Sequence, residues 1–208
     1  EVALFGRMLA DLPGLNVDAA VQVAHALSTH TVDLEFDYFT AVDDLNPKEE
    51  TGAGMIGTVE FNSATLYRFA SVDVDRLTDN LHDLQRSAAG ATAFVEAFLT
   101  SIPSGHQNSF AHTTRPEFCL IVLREDQSVN LVGAFEQPIQ SDGVAAESIR
   151  RLLLARAEDD DCYGTQPVKI WSIGRRGPAA EAGVEHLVPL PDVLAELAQT
   201  LTERLGQP

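Results

Sequence analysis

An α+β fold carrying one long hairpin-like insertion is predicted by three features of the sequence. The segments Val21–Thr31 and Thr58–Ala70 are dense in Val, Thr, Phe and Tyr, residues that suit a pleated, half-buried surface. Between them lies an acidic, aromatic and glycine-rich stretch, punctuated by Asn46-Pro47 and Gly52-Ala53-Gly54, which read as turns. Two later segments, Asp75–Ile102 and Pro191–Leu205, carry apolar residues at spacings of three and four, the stripe of an amphipathic helix. Two strands therefore leave a sheet, project a protrusion and return. A connection of roughly 25 to 30 residues far exceeds the usual loop of about 4 to 6 and points to function.

The elements follow in order. Val2–Leu9 reads as a short strand, apolar except for Arg7, and Asp11-Leu12-Pro13-Gly14 as a turn. Asn16 is placed to cap a helical turn over Asn16–Ala20. Val21–Thr31 admits a helix through Val21, His25 and Ser28 or a strand; its Val and Thr content favours the strand. Thr58–Val74 reads as one long strand. Asp75 is positioned as the N-cap of the following helix, Pro103 as its stop, and Gly90 as a point where it divides. A polar loop, residues 103–117, precedes a buried strand, Phe118–Arg124, and a short apolar segment, Asn130–Phe135. A helix over Val144–Ala157 carries a Glu147–Arg151 pair one turn apart and ends at the acid run Glu158–Asp161. Val168–Ile173 alternates as a strand, Arg175–Pro178 reads as a basic turn, and Gly206 closes the last helix.

Composition bounds the function. At 208 residues, 45% hydrophobic and 22% charged, the chain is that of a soluble globular domain. It holds no apolar run long enough to span a membrane, and its N-terminus lacks the basic and apolar regions of a secretory signal. Two cysteines, Cys119 and Cys162, fit a reducing cytoplasm. Cys119, inside Phe118–Leu123, is expected to be a buried free thiol. A net charge of −17, from 14 Lys and Arg against 31 Asp and Glu, opposes a nucleic-acid role taken alone.

Several long, ungapped segments nevertheless resemble one family. THTVDLEFDYFTAVDDL (Thr29–Leu45) and GTVEFNSATLYRFASV (Gly57–Val72) are similar to the thumb and adjoining strands of CasC, the backbone subunit of the type I-E CRISPR Cascade surveillance complex. ALFGRM (Ala3–Met8), FLTSIPSGHQNSFA (Phe98–Ala111) and LVGAFEQPI (Leu131–Ile139) fit the same pattern, so the resemblance runs from Val2 to Phe135 and loosens over the last third. It implies a partial RRM-like (ferredoxin-like) sandwich, a palm of residues 1–32 and 57–208, interrupted by a thumb of residues 33–56. It implies a non-catalytic subunit without a cofactor. The expected partners are CRISPR guide RNA, target DNA through that guide, further copies of itself and other Cascade subunits. Relatives carry a Lys/Arg-rich N-terminal part that nothing here matches, so the chain is expected to be a C-terminal portion, with the acidic surplus on faces turned to solvent and to other subunits.

By the same resemblance, Phe39 and Thr40 match the thumb positions that displace a guide base, Tyr38, Val42, Asp43 and Asp44 belong to the thumb, and Met8 matches a wedge beside the displaced base. A Phe face or a thioether can replace a lost stacking partner without reading sequence, worth about 1–3 kcal/mol per base. Phe36, Tyr38 and Phe39 could equally pack the protrusion's own small core, and Met8 could fill a core gap. Arg68, between Tyr67 and Phe69, is a candidate phosphate contact or an ordinary salt-bridge partner. The segment Gln137–Gly143 departs from the family in holding no Lys or Arg. Asp43-Asp44 with Glu49-Glu50, and His25 with His30, lack the spacing of calcium or zinc ligands, and no metal is expected. His106 and His112 with Arg115 have no accompanying nucleophile or carboxylate pair. A protein-interaction domain that binds no RNA and a metal-dependent nuclease using Asp43, Asp44 and the histidines are the alternatives.

Overall fold

The computed structural model describes residues 1–41 and 55–206. The two arms pair as expected, but in pieces. Strand β1 (Val21–Val23) runs antiparallel to β6 (Ala70–Val72), and β2 (Leu27–Ser28) antiparallel to β5 (Leu66–Tyr67). From them rises a hairpin of β3 (Glu35–Ala41) and β4 (Met55–Phe61), paired over seven residues with Phe39 opposite Gly57. A fourth pair, β7 (Phe118–Leu123) with β8 (Lys169–Gly174), forms a separate ladder.

The arms break for an identifiable reason. The Ala24 N–H donates to the Phe69 carbonyl, and three residues later Leu27 faces Tyr67. His25 and Ala26 therefore oppose the single residue Arg68, which is the arrangement of a β-bulge. The expected continuous strand Thr58–Val74 is corrected to β4, β5 and β6, interrupted by this bulge and by the non-strand residues Asn62–Thr65.

The N-terminal stretch is corrected from strand to helix. Val2–Phe5 forms one helical turn, α1, which places Ala3 and Leu4 against the main core. Gly6 ends it at φ 75°, and a Cβ there would lie 2.7 Å from the Val17 carbonyl oxygen. That close approach lets Arg7 and Val17 exchange both backbone hydrogen bonds at 2.9 Å. Asn16 caps no helix; its Oδ1 accepts from the Leu9 N–H at 2.6 Å and braces the loop.

The long helix divides, though not at Gly90. Asp73 caps α2 (Val74–Leu81) by accepting the Arg76 N–H, and Asp83 caps α3 (Leu84–Thr100) by accepting the Arg86 N–H. His82 between them takes the left-handed conformation at φ 51°. Gly90 lies inside α3, facing Leu77 of α2. The loop after Pro103 contains one helical turn, α4 (Gln107–Phe110). Leu131–Phe135 is a short 3-10 turn, capped by the Asn130 side chain, that buries Phe135 against Tyr67.

Helix α5 (Val144–Tyr163) runs through the acid run that was expected to end it. Asp160 is the reason: its carboxylate accepts from Arg124 at 2.8 Å and pairs with Arg156, while Thr165 donates to the same group. The Arg124 and Asp160 side chains are only 9% and 10% exposed, so each depends on the other for its charge to be tolerated there. The expected basic turn is the helix α6 (Arg176–Glu181), which accommodates Pro178 in its first turn. Helix α7 (Leu190–Leu205) closes the chain, and Gly206 follows it at φ −86°, outside the left-handed region. Leu77 and Val193 are fully buried where α2, α3 and α7 meet. Val72 of β6, Ile121 of β7 and Trp171 of β8 pack on that same cluster. Cys119 is a free, half-buried thiol, and its desolvation pushes the pKa up to about 12.

Arg124→Met strands Asp160 with Arg156 alone and should destabilise the fold by about 3 kcal/mol, read as a lowered urea midpoint. The Glu147 carboxyl, accepting from Arg150 and Arg151, is pulled from 4.5 to about 2. A depressed carboxylate contributes stability that is complete above its unfolded value and is lost as pH falls through its folded one. Glu147→Gln should therefore flatten the loss of stability between pH 4.5 and 2 relative to the parent, measured by urea titration across that window.

Candidate nucleic-acid interface

The hairpin presents apolar side chains on both faces. Side chains alternate along a strand and directly paired residues share a face. Phe36, Tyr38 and Thr40 therefore lie on one face with Ile56 and Thr58, and Phe39 lies on the other with Gly57 and Phe61. Tyr38 is 73% exposed and Phe39 is 43% exposed. Phe36 and Ile56 are also open to solvent, so the described hairpin has no apolar core of its own. Phe39 is held by an empty position: a Cβ on Gly57 would meet the Phe39 ring at 2.4 Å. The distal end of the ring fills the space that a Cβ would take, so the aromatic covers the strand glycine. Phe39 and Thr40 were grouped by sequence, yet they project from opposite faces. Val42, Asp43 and Asp44 lie outside the described residues, as do Glu49 and Glu50.

Met8 follows the Arg7–Val17 bridge and is 82% exposed, so it fills no core gap. It borders a shallow hollow of about 420 Å³ formed by residues 5–8 and 16–19. The Phe5 ring in this segment meets Phe94 edge-on at 6.1 Å, and Phe94 stacks with Phe98 at 6.0 Å. The Arg68 guanidinium lies over Phe98, 4.5 Å from the ring centre. A row of rings along α3 thus links the Met8 segment at one end to Arg68 at the other. Among the described residues no carboxylate lies within 4 Å of Arg68, and the residue is exposed. Among the described residues no ring pair or cation–π contact joins Phe39 to Met8 or Arg68.

Sequence reasoning missed the ring cluster at the hairpin base. Phe61 packs on Phe110 at 5.1 Å, and His106 stacks on Phe110 at 5.3 Å. His106 and Ala111, at φ 57° and 46°, bracket the turn that presents Phe110. The Phe94–Phe98 spacing was visible, but it is also the spacing of a core stripe.

Cation pairing selects a small group. Most described Lys and Arg side chains contact a carboxylate within 4 Å; Arg7, Arg68, Arg115 and Arg176 do not, among the described residues. Arg7 precedes Met8, and Arg68 and Arg115 border one cleft. Arg175, by contrast, is tied to Glu117 at 3.3 Å. His30 is structural: its Nε2 accepts the Thr65 N–H at 3.1 Å, so the proton sits on Nδ1, which donates to the Thr31 carbonyl at 2.7 Å. His112 Nε2 lies 2.9 Å from the Pro103 carbonyl and closes its loop. Among the described residues no three metal-ligating side chains gather, and no helix is long and apolar enough to cross a membrane.

An α+β chain with small antiparallel pairs, a projecting aromatic hairpin and a few uncompensated arginines is a fold shared with known proteins. Residues 1–199 match the model of the CT1975-like protein family, Cas_CT1975, and the chain belongs to that family, bearing out the relationship read from the motifs. Its structure is similar to a chain of a "CRISPR RNA-guided surveillance complex, pre-nicking", with a TM-score of 0.82 and 33% identity, covering 96% of this chain and 55% of that one. A chain of a "CRISPR RNA-guided surveillance complex" is similar at a TM-score of 0.83 and 32% identity, covering 96% of this chain and 77% of that one. The chain thus spans about half the length of the first. No curated protein matches significantly.

If Phe39 works through its seat on Gly57, Gly57→Ala should dislodge the ring and reproduce the Phe39→Ala defect in ligand binding while the circular dichroism spectrum stays unchanged. A Gly57→Ala protein that binds normally would show that the seat is dispensable.

Proposed function

We propose that this chain is part of a non-catalytic backbone subunit that binds CRISPR guide RNA in a Cascade-type surveillance complex in the cytoplasm. Copies of the subunit, with other Cascade subunits, line the guide and present it in segments for pairing with target DNA. The β3–β4 hairpin acts as the thumb, and the paired arms with the helical layer form an RRM-like palm. The observation that carries this reading is the hairpin itself: seven paired residues per strand projecting from the arms, with Phe39 held over Gly57 and left 43% exposed. Belonging to the Cas_CT1975 family and the likeness to surveillance-complex chains support it.

The division of labour is physically coherent. An aromatic face accepts any base, because each base has a π-face. Sequence reading is then left to Watson–Crick pairing by the guide. Phe39 takes the place of a stacking partner for the base beside the thumb, and Met8 wedges against the displaced base. Arg68 and Arg7 supply phosphate contacts, with Thr40 on the far face of the hairpin toward the adjoining segment.

A second reading has its own support. The net charge of −17 and the exposed Phe36, Tyr38 and Ile56 face favour a surface for another protein. On that reading the 208 residues oligomerise without binding RNA.

Binding of a labelled single-stranded RNA at low and moderate salt separates the two. Sequence-indifferent binding that weakens as salt rises, with Arg68→Gln lowering the slope of log K against log salt by about 0.7, supports the guide-binding reading. No binding at low salt by the full-length protein would overturn it. In assembled complexes, Phe39→Ala should weaken target-DNA binding while leaving the fold intact. Excision of Glu35–Phe61, closed by a short linker, should leave a folded domain that assembles poorly.

A further inference from the structure

The hairpin leaves the body of the chain through a joint. Residues 29–34 lead from β2 to β3, and residues 62–65 lead back from β4 to β5. The β2–β5 register makes Thr29 and Thr65 the next pair beyond the ladder. In a regular antiparallel ladder such a pair exchanges both backbone hydrogen bonds. Here only one is made: the Thr29 N–H donates to the Thr65 carbonyl at 2.9 Å. The Thr29 carbonyl accepts instead from the Ile139 N–H at 3.0 Å. The Thr65 N–H, robbed of that partner, donates to His30 Nε2 at 3.1 Å. An imidazole thus stands in for a strand carbonyl at the foot of the hairpin.

His30 is itself held from several directions. Its N–H donates to Ser28 Oγ at 3.2 Å, and its carbonyl accepts from the same hydroxyl at 2.7 Å. It bridges Ile139, which is buried. Because Nε2 accepts, the ring proton is on Nδ1 and goes to the Thr31 carbonyl at 2.7 Å. One planar ring therefore ties the outgoing leg at Thr31 to the returning leg at Thr65. Beyond it, no hydrogen bond among the described residues joins 31–34 to 62–64, and the next pair is Glu35 with Phe61. The gap residues are mostly exposed, so little within the gap resists bending. On its far side the hairpin has a second mount, where Phe61 packs on Phe110 at 5.1 Å.

We infer that His30 is a positioning residue for the hairpin: its ring pins the joint and, together with the Phe61–Phe110 stack, fixes the angle at which β3 and β4 project. A single bond between Thr29 and Thr65 lets the legs turn about one point. The His30 bond adds a second point on the adjacent residue, and the stack adds a third across the gap. Loss of the His30 acceptor leaves the Thr65 N–H unpaired at the joint and frees the hairpin to pivot, while the helical core, to which His30 contributes nothing, stays folded. The inference concerns only where the hairpin points and does not rest on the guide-binding reading.

Residual dipolar couplings of the backbone amides, measured by NMR on the full-length protein without RNA, test this. In the parent, the couplings of β3 and β4 fit the alignment of α3 and α7. His30→Phe keeps a ring and removes the acceptor. Its hairpin couplings shrink by about a third or more, the loss of order that separates a rigid backbone from a mobile one, while those of the helices hold. His30→Gln, whose amide oxygen lies as many bonds from the backbone as Nε2, restores them. Full-sized hairpin couplings in His30→Phe overturn the proposal, as do couplings already reduced in the parent. If His30→Phe does not fold, the parent decides. Long-range proton–nitrogen correlation then shows the His30 ring protonated at Nδ1, with the Thr65 amide slow to exchange. A neutral ring protonated at Nε2, or a fast Thr65 amide, overturns the proposal.

Discussion

The pairing of the two arms sets the direction of everything beyond it. Val21–Val23 with Ala70–Val72, and Leu27–Ser28 with Leu66–Tyr67, form short ladders of only a few hydrogen bonds each. They hold because the residues behind them are anchored. Tyr67 is buried against Phe135 with its hydroxyl on Asn130, Thr29 is buried and accepts from Ser148, and Val72 sits on the helical cluster. The bulge between the ladders turns the strand at Arg68 and sends its side chain onto Phe98. A hairpin with two solvent-exposed faces has little packing of its own and is marginal in isolation, so its position is borrowed from these arms.

The acidic surplus has a similar logic. Most cations in the described structure are bound to carboxylates, and the pair that matters most for folding, Arg124 with Asp160, is nearly closed to solvent. Asp126 also accepts from Arg124, which holds its carboxyl down at about 2, below the usual 3.8. Arginines engaged in this way have little charge left for a polyanion. Of the arginines that remain uncompensated, Arg7 precedes Met8 and Arg68 lies over Phe98. A strongly negative chain can therefore keep a small local surface for phosphate, because surface charges more than about 8–10 Å away are screened at physiological salt.

The legible parts of the fold were those with a strong local signal. The Glu147–Arg151 pair, the stripe of α7 and the apolar run of β7 all stand where their spacing put them. The failures have physical causes. Val2–Phe5 is too short for a period of two to be told from one of 3.6, and its helical turn is chosen by burial of Ala3 and Leu4. Gly90 drew the expected break because glycine is a poor helix former; packing against Leu77 keeps it helical, and the break falls instead where Asp83 caps α3. The acid run stayed helical because Arg124, distant in sequence, neutralises Asp160. Of the candidate site, Phe39 and Met8 were singled out through the family motifs and Arg68 by its place between Tyr67 and Phe69, while the rings at Phe98 and Phe110 looked like core.

By itself the sequence determined the class of the fold, the two β-rich arms, the long insertion between them and the family to which the chain belongs. Those are carried by local composition and by long motifs, which need no partner to be read. Only the tertiary structure decided that Phe39 and Thr40 face opposite ways, that Arg68 sits at a bulge on Phe98, and that the Thr65 N–H meets the His30 ring. Each of those depends on register, and register is fixed by which backbone groups meet across tens of residues of chain, information that no single segment contains.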